Sequence, residues 1–193
     1  MVAVNSTMLP LGTAVPDFTL RDAVTGRLVS PSDFANRDAL LLMFICNHCP
    51  YVQHVKDEIG RIAREYRPRG VACIAVNAND IEAYPQDGPV HMKAMAEAER
   101  WAFPYVLDET QEVAKRVRAA CTPDFYLFDA DRNLAYRGRL DDSRPSSGTP
   151  VTGRDLRAAL DAVLAGDAAP ADQTPSMGCN IKWKEGNEPD YFG

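Results

Sequence analysis

The chain has 193 residues, of which 46% are apolar and 25% charged, and it carries a net charge of −6. That length and balance suit one globular domain with a real core. The acidic charge, with no Lys/Arg block, argues against a nucleic-acid groove and against docking on anionic lipid.

Residues 1–14 read as a loose leader. They hold no basic residue and no sustained apolar run, unlike a signal peptide, so the expected compartment is the cytoplasm. Around residues 18–29, Phe18 and Leu20 alternate with polar residues, Thr25–Gly26 marks a turn, and Leu28–Val29 resume an extended segment. That is a small hairpin. The run ALLLMFI, 39–45, is apolar on both faces, as a central parallel strand is. It is also the longest strongly apolar run, too short to span a bilayer.

From Cys49 to about Tyr66, Val52, Val55, Ile59 and Ile62 recur at helical spacing, with Pro50 in the first turn. VACIAVNAN, 71–79, predicts a second buried strand. A helix over 88–101, a short strand at 105–107 and a helix over 110–118, capped by Thr110, follow. DFYLFDADRNLAYRGRLDD predicts two strands around a turn at 131–133, and Thr152 caps a last helix that ends at Gly166. Strands alternating with helices make an α/β sheet covered on both faces. Residues 1–166 form the predicted domain, and 167–193 a C-terminal extension that wraps it or waves freely.

Chemistry concentrates in ICNHCPYV, where the buried strand passes into the helix. Two thiols three residues apart meet the unpaired N–H groups of a helix start, which favour a thiolate, the reactive form of cysteine. Cys46, at the start of the turn, is expected to be the more exposed thiol and the nucleophile. Cys49, one turn in, resolves the mixed disulfide. His48 between them is a candidate for tuning the thiolate. In a reducing compartment a Cys-x-x-Cys is catalytic or metal-binding rather than a staple.

These features together resemble the thioredoxin-like superfamily, in its peroxiredoxin-like and TlpA-like branch. The carriers are the hairpin PDFTLRDAVTGRLVSPSDF, CNHC at the strand-to-helix turn, the insertion at about 88–107, and ACTPDFYLFDADRNLAYRGRLDD. The resemblance spans roughly residues 10–165 and implies a three-layer thioredoxin-like fold. It also implies that Pro123 is a cis-proline facing the dithiol, and that Thr122 before it pairs its backbone with a bound partner chain. The chain departs from family patterns too. Ile45 stands where thioredoxin has a Trp before the first Cys, and Leu40 where it has a buried acid. The peroxiredoxin pattern Pro-x-x-x-Thr-x-x-Cys falls on Leu42, Cys46 and Cys49, so its Pro and Thr are absent. The peroxide-site arginine is also absent, with Pro123 in its place.

The expected activity is thiol–disulfide exchange on protein or small-molecule disulfides and thiols, regenerated by an external dithiol. No nucleotide fingerprint is present and no cofactor is expected. Two alternatives stay open: a thiol-dependent peroxidase, and a non-enzymatic metal- or partner-binding module. A metal would draw on Cys121 and Cys179 as further ligands, because zinc wants four. Cys121, two residues before Pro123, and Cys179, in the extension, are also candidate accessory thiols able to relay a disulfide from Cys46. Cys73 reads as a small buried hydrophobe, His54 and His91 as packed or solvated, and Trp101 and Trp183 as packing residues.

Overall fold

The computed structural model describes residues 3–192. Ten strands and four α-helices follow one another: β1 (Ala3–Asn5), β2 (Leu20–Asp22), β3 (Leu28–Val29), β4 (Ala39–Phe44), α1 (Pro50–Tyr66), β5 (Val71–Asn77), α2 (Pro89–Ala98), β6 (Tyr105–Leu107), α3 (Glu112–Arg116), β7 (Cys121–Thr122), β8 (Asp124–Phe128), β9 (Leu134–Gly138), α4 (Arg154–Ala165) and β10 (Met177–Asn180). Seven of the strands form the main sheet in the order β3-β2-β6-β5-β4-β8-β9.

Strand β4 lies at the centre of the fold's logic. It pairs parallel with β5 and antiparallel with β8, and all six of its residues are buried. Successive side chains point to opposite faces. Leu41, Met43 and Ile45 therefore join Val52, Val55 and Ile59 of α1, Met92 of α2 and Leu156 and Leu160 of α4 in one core. Leu40, Leu42 and Phe44 join Val113 and Ala114 of α3 and Ile181 and Trp183 of the C-terminal segment in the other. The result is the three-layer α/β, thioredoxin-like architecture expected. No helix is long and apolar enough to cross a membrane among the described residues.

The hairpin is real. The Asp22 carboxylate accepts from the Val24 and Thr25 N–H groups and the Thr25 hydroxyl, closing its turn. Two helix starts lie one residue beyond the predicted threonine caps. Gln111 and Gly153 stand there instead, at φ of 64° and 66°. The Thr152 N–H is used by the Asp141 carboxylate at 2.6 Å, and the chain must then turn left-handed, which glycine does at least cost.

The N-terminal end differs from expectation, and the C-terminal extension takes the wrapping course of the two left open. The leader is no loose segment, because β1 pairs antiparallel with β10, and β10 pairs antiparallel with β7. These three strands form a second sheet, β1-β10-β7, which draws the extension back across the domain. Neither pairing shows in local periodicity, since strands of two to four residues are too short to carry one.

Candidate redox site

Cys49 is the N-cap of α1, with extended backbone at φ −72° and ψ 121°, and Pro50 occupies the first helical position. There a proline costs nothing, since its missing N–H would have no partner within the helix. Cys46 lies just past β4. The Thr122–Pro123 bond is cis, as the resemblance implied, and sets Thr122 against both sulfurs. The Cys46 sulfur and the Thr122 hydroxyl are 3.3 Å apart, and the Cys49 thiol donates to the Thr122 carbonyl at 3.1 Å.

The expected exposure of Cys46 is absent, since both thiols are buried: Cys46 is 1% exposed and Cys49 0%. The charge is also distributed otherwise than expected. Thiols of Cys179 and Cys46 and the Val52 N–H all donate to Cys49, and against burial they hold its pKa far down. Cys46 is pushed well up by giving its hydrogen bond to Cys49, by burial, and by the nearby Asp87 charge. The Thr122 carbonyl alone favours the neutral Cys49 thiol, and several donors outweigh one acceptor. The donors around Cys49 and the dipole of the helix start both favour a charge there.

Asp87 is a site residue that the sequence reading missed. Its buried carboxylate accepts from the Asn47 N–H at 2.8 Å, the His48 N–H at 3.1 Å and the Asn79 amide at 2.8 Å, and lies 2.5 Å from His48 Nδ1. Its own carbonyl accepts from Asn77 at 2.7 Å. These bonds fix the turn between the two cysteines. His48 stacks on Tyr84 with ring centroids 5.5 Å apart, and its Nε2 is buried with no hydrogen-bond partner. The only hint of this in the sequence is the turn-forming stretch Pro85–Gln86–Asp87–Gly88, about 40 residues from the dithiol.

The two accessory thiols part company. Thr122 faces the dithiol, so its neighbour Cys121 points away, 3.8 Å from the Pro123 carbonyl, with its pKa pushed up by burial. Cys179 stands opposite Thr122 in the β10–β7 pairing and donates its thiol to Cys49. Burial also holds Cys73 up, at about 12. No disulfide links the described cysteines. Among the described residues, Cys46, His48 and Asp87 place three possible metal-ligand atoms within 4.8 Å of one another. That cluster includes neither Cys121 nor Cys179, the ligands a metal site was expected to recruit.

The edge of Thr122 that a partner chain would use is taken by β10. Gly178 lies so close that a Cβ there would come 2.0 Å from the Thr122 carbonyl oxygen.

The model of the Redoxin family matches residues 10–155. The chain is similar to an uncharacterized conserved protein from Geobacillus kaustophilus, at 54% identity and a TM-score of 0.93, over 95% of this chain and 97% of that one. It is similar to a hypothetical protein from Sinorhizobium meliloti 1021 at 45% identity and a TM-score of 0.92, over 94% and 99%. A thiol:disulfide interchange protein of the thioredoxin family from Chlorobium tepidum shares the fold, with a TM-score of 0.61 at 13% identity over 79% and 97%. No curated protein matches. The family match, the fold and the paired thiols at the helix start agree: the chain belongs to the Redoxin family and has a thioredoxin-like fold.

Proposed function

We propose that this protein exchanges disulfides through the pair Cys46 and Cys49. The observation that carries the reading is the pair of sulfurs at the start of α1, each in contact with Thr122. Cys46 passes its proton to Cys49 and attacks one sulfur of a substrate disulfide. The other substrate sulfur leaves as a thiolate and takes up a proton. Cys49 then loses its proton and attacks the Cys46 sulfur of the mixed disulfide. The Cys46–Cys49 bond forms, the bond to substrate breaks, and the second substrate thiol departs. An external dithiol reverses the oxidation.

Thr122 and Pro123 shape the approach to both sulfurs. His48 and Asp87 act as positioning residues that hold the turn of Cys46. Both sulfurs are buried, so a substrate sulfur reaches them only when β10 or the His48 turn moves. With β10 seated on Thr122, a small-molecule disulfide suits the site better than an extended polypeptide. The test is disulfide reduction with dithiothreitol as regenerant. Wild type turns over, Cys46→Ser in a Cys179→Ala background is dead, and Cys49→Ser accumulates a mixed disulfide on Cys46. Full turnover by that double variant rejects the reading.

One observation favours a second reading, a thiol-dependent peroxidase. Cys49 occupies the cysteine position of the peroxiredoxin pattern, at the N-cap of α1 where a helix start favours a thiolate. The absent Pro, Thr and Arg argue for slow peroxide chemistry. A stopped-flow hydroperoxide rate matching that of a dedicated peroxidase would reverse the ranking.

A further inference from the structure

The C-terminal strand β10 is no passive strap. It is held along its whole length. The Ser176 hydroxyl donates to the Gly138 carbonyl at 2.7 Å, the Ile181 N–H to the Ala120 carbonyl at 3.0 Å, and the Lys182 N–H to the Asn79 side chain at 2.9 Å. Asn79 is the same residue that binds the Asp87 carboxylate, so the tail and the Cys46 turn share an anchor. Register then sets Cys179 opposite Thr122, and Gly178 lets the two backbones close up. The Cys179 sulfur meets the first turn of α1, where it accepts from the Tyr51 N–H and donates to Cys49. Cys46, Cys49 and Cys179 all lie in the same core, and Cys49 is the one that meets both of the others.

We propose that Cys179 is the third redox thiol of this site, the built-in partner to which Cys49 passes its disulfide. Resting on the exchange reading above, the step begins from the Cys46–Cys49 disulfide left by turnover. The Cys179 thiol gives up its proton and its sulfur attacks Cys49. The Cys49–Cys179 bond forms as the Cys46–Cys49 bond breaks, and Cys46 leaves as a thiolate that takes the proton. One S–S bond replaces another, so no oxidant or reductant is consumed. Cys179 here takes the place that a cysteine in a docked substrate strand would take. The exchange frees Cys46 for a second substrate and moves the oxidising equivalent onto the tail.

The alternative is that Cys179 is a packing residue that stays reduced. Titration of the full chain with oxidised and reduced glutathione, acid quench, alkylation and peptide mapping separates the two. Wild type is expected to yield Cys46–Cys49 and Cys49–Cys179 linked peptides. Cys46→Ser is expected to yield Cys49–Cys179 alone, because any glutathione adduct on Cys49 is displaced by Cys179. Cys179→Ala keeps the Cys46–Cys49 link, and its rate of re-reduction by glutathione falls at least fivefold. A Cys46–Cys49 link in wild type with no Cys49–Cys179 peptide, or a stable glutathione adduct on Cys49 in Cys46→Ser, overturns the relay and leaves the exchange reading standing. Loss of the Cys46–Cys49 link in wild type overturns both.

Discussion

Thr122 touches both active sulfurs, its hydroxyl 3.3 Å from Cys46 and its carbonyl 3.1 Å from Cys49. One residue therefore bridges the dithiol to β7, and through β7 to the C-terminal strand. Thr122→Val keeps the shape and removes the hydroxyl. It is expected to cost about 1 kcal/mol of stability. It should also raise the pH at which Cys46 alkylates, because the hydroxyl lowers that thiol's pKa. An unchanged alkylation profile would show that the contact has no chemical role.

The thiolate should follow Cys49. In Cys46→Ser, thiolate absorbance near 240 nm is expected to titrate well below the roughly 8.5 of a free thiol. The remaining Cys179 and Val52 donors keep the charge in place. In Cys49→Ser the low step vanishes. Ordinary titration of Cys49 in the first variant would return the charge to Cys46.

Asp87 raises the pKa of Cys46 by its charge while holding the turn by hydrogen bonds. Two variants separate these effects. Asp87→Asn keeps much of the shape, and Cys46 should alkylate at lower pH than in wild type. Asp87→Ala removes the acceptor altogether and should cost roughly 3 kcal/mol in urea unfolding, since hydrogen bonds to charged groups are worth about 1.5–3 kcal/mol each. An Asn variant whose Cys46 profile does not move sinks the electrostatic assignment.

Gly178 tests the seating of the tail. A Cβ in Gly178→Ala would meet the Thr122 carbonyl oxygen at 2.0 Å, and a backbone atom cannot swing aside as a side chain can. The expected loss is roughly 1–3 kcal/mol, as for overpacking elsewhere. Amide exchange over residues 177–181 should speed up, and Cys49 should become open to alkylation. Unchanged exchange there would mean that β10 is not held by this contact.

Asp124 should set the pH dependence of stability near neutrality. Its carboxyl is buried, accepts from Ser6 and Tyr126, and has its pKa raised by burial from 3.8 to about 7. The folded state thus holds the proton more tightly than the unfolded chain. This contribution is full below about pH 4 and lost as pH rises through 7, over a span on the order of 4 kcal/mol. Urea unfolding from pH 4 to 8 should show wild type losing stability relative to Asp124→Asn. Parallel profiles for the two proteins would exclude Asp124 as the group.

The sequence by itself determined the α/β class, the order of the central elements and the placement of two thiols at a helix start. The reason is that these signals are local. A run such as 39–45 is apolar on both faces only if both are covered, and a Cys-x-x-Cys before an amphipathic helix puts two thiols at a helix start whatever the rest of the chain does. The cis bond at Pro123 was legible only through family resemblance. What tertiary structure alone decided is the environment of the sulfurs. Asp87 reaches Asn47 and His48 across about 40 residues, and Cys179 reaches Cys49 through a two-residue register with Thr122. Burial and the directions of donors, which favour a charge on Cys49 over the expected Cys46, arise only when distant segments pack. No spacing along the chain encodes them.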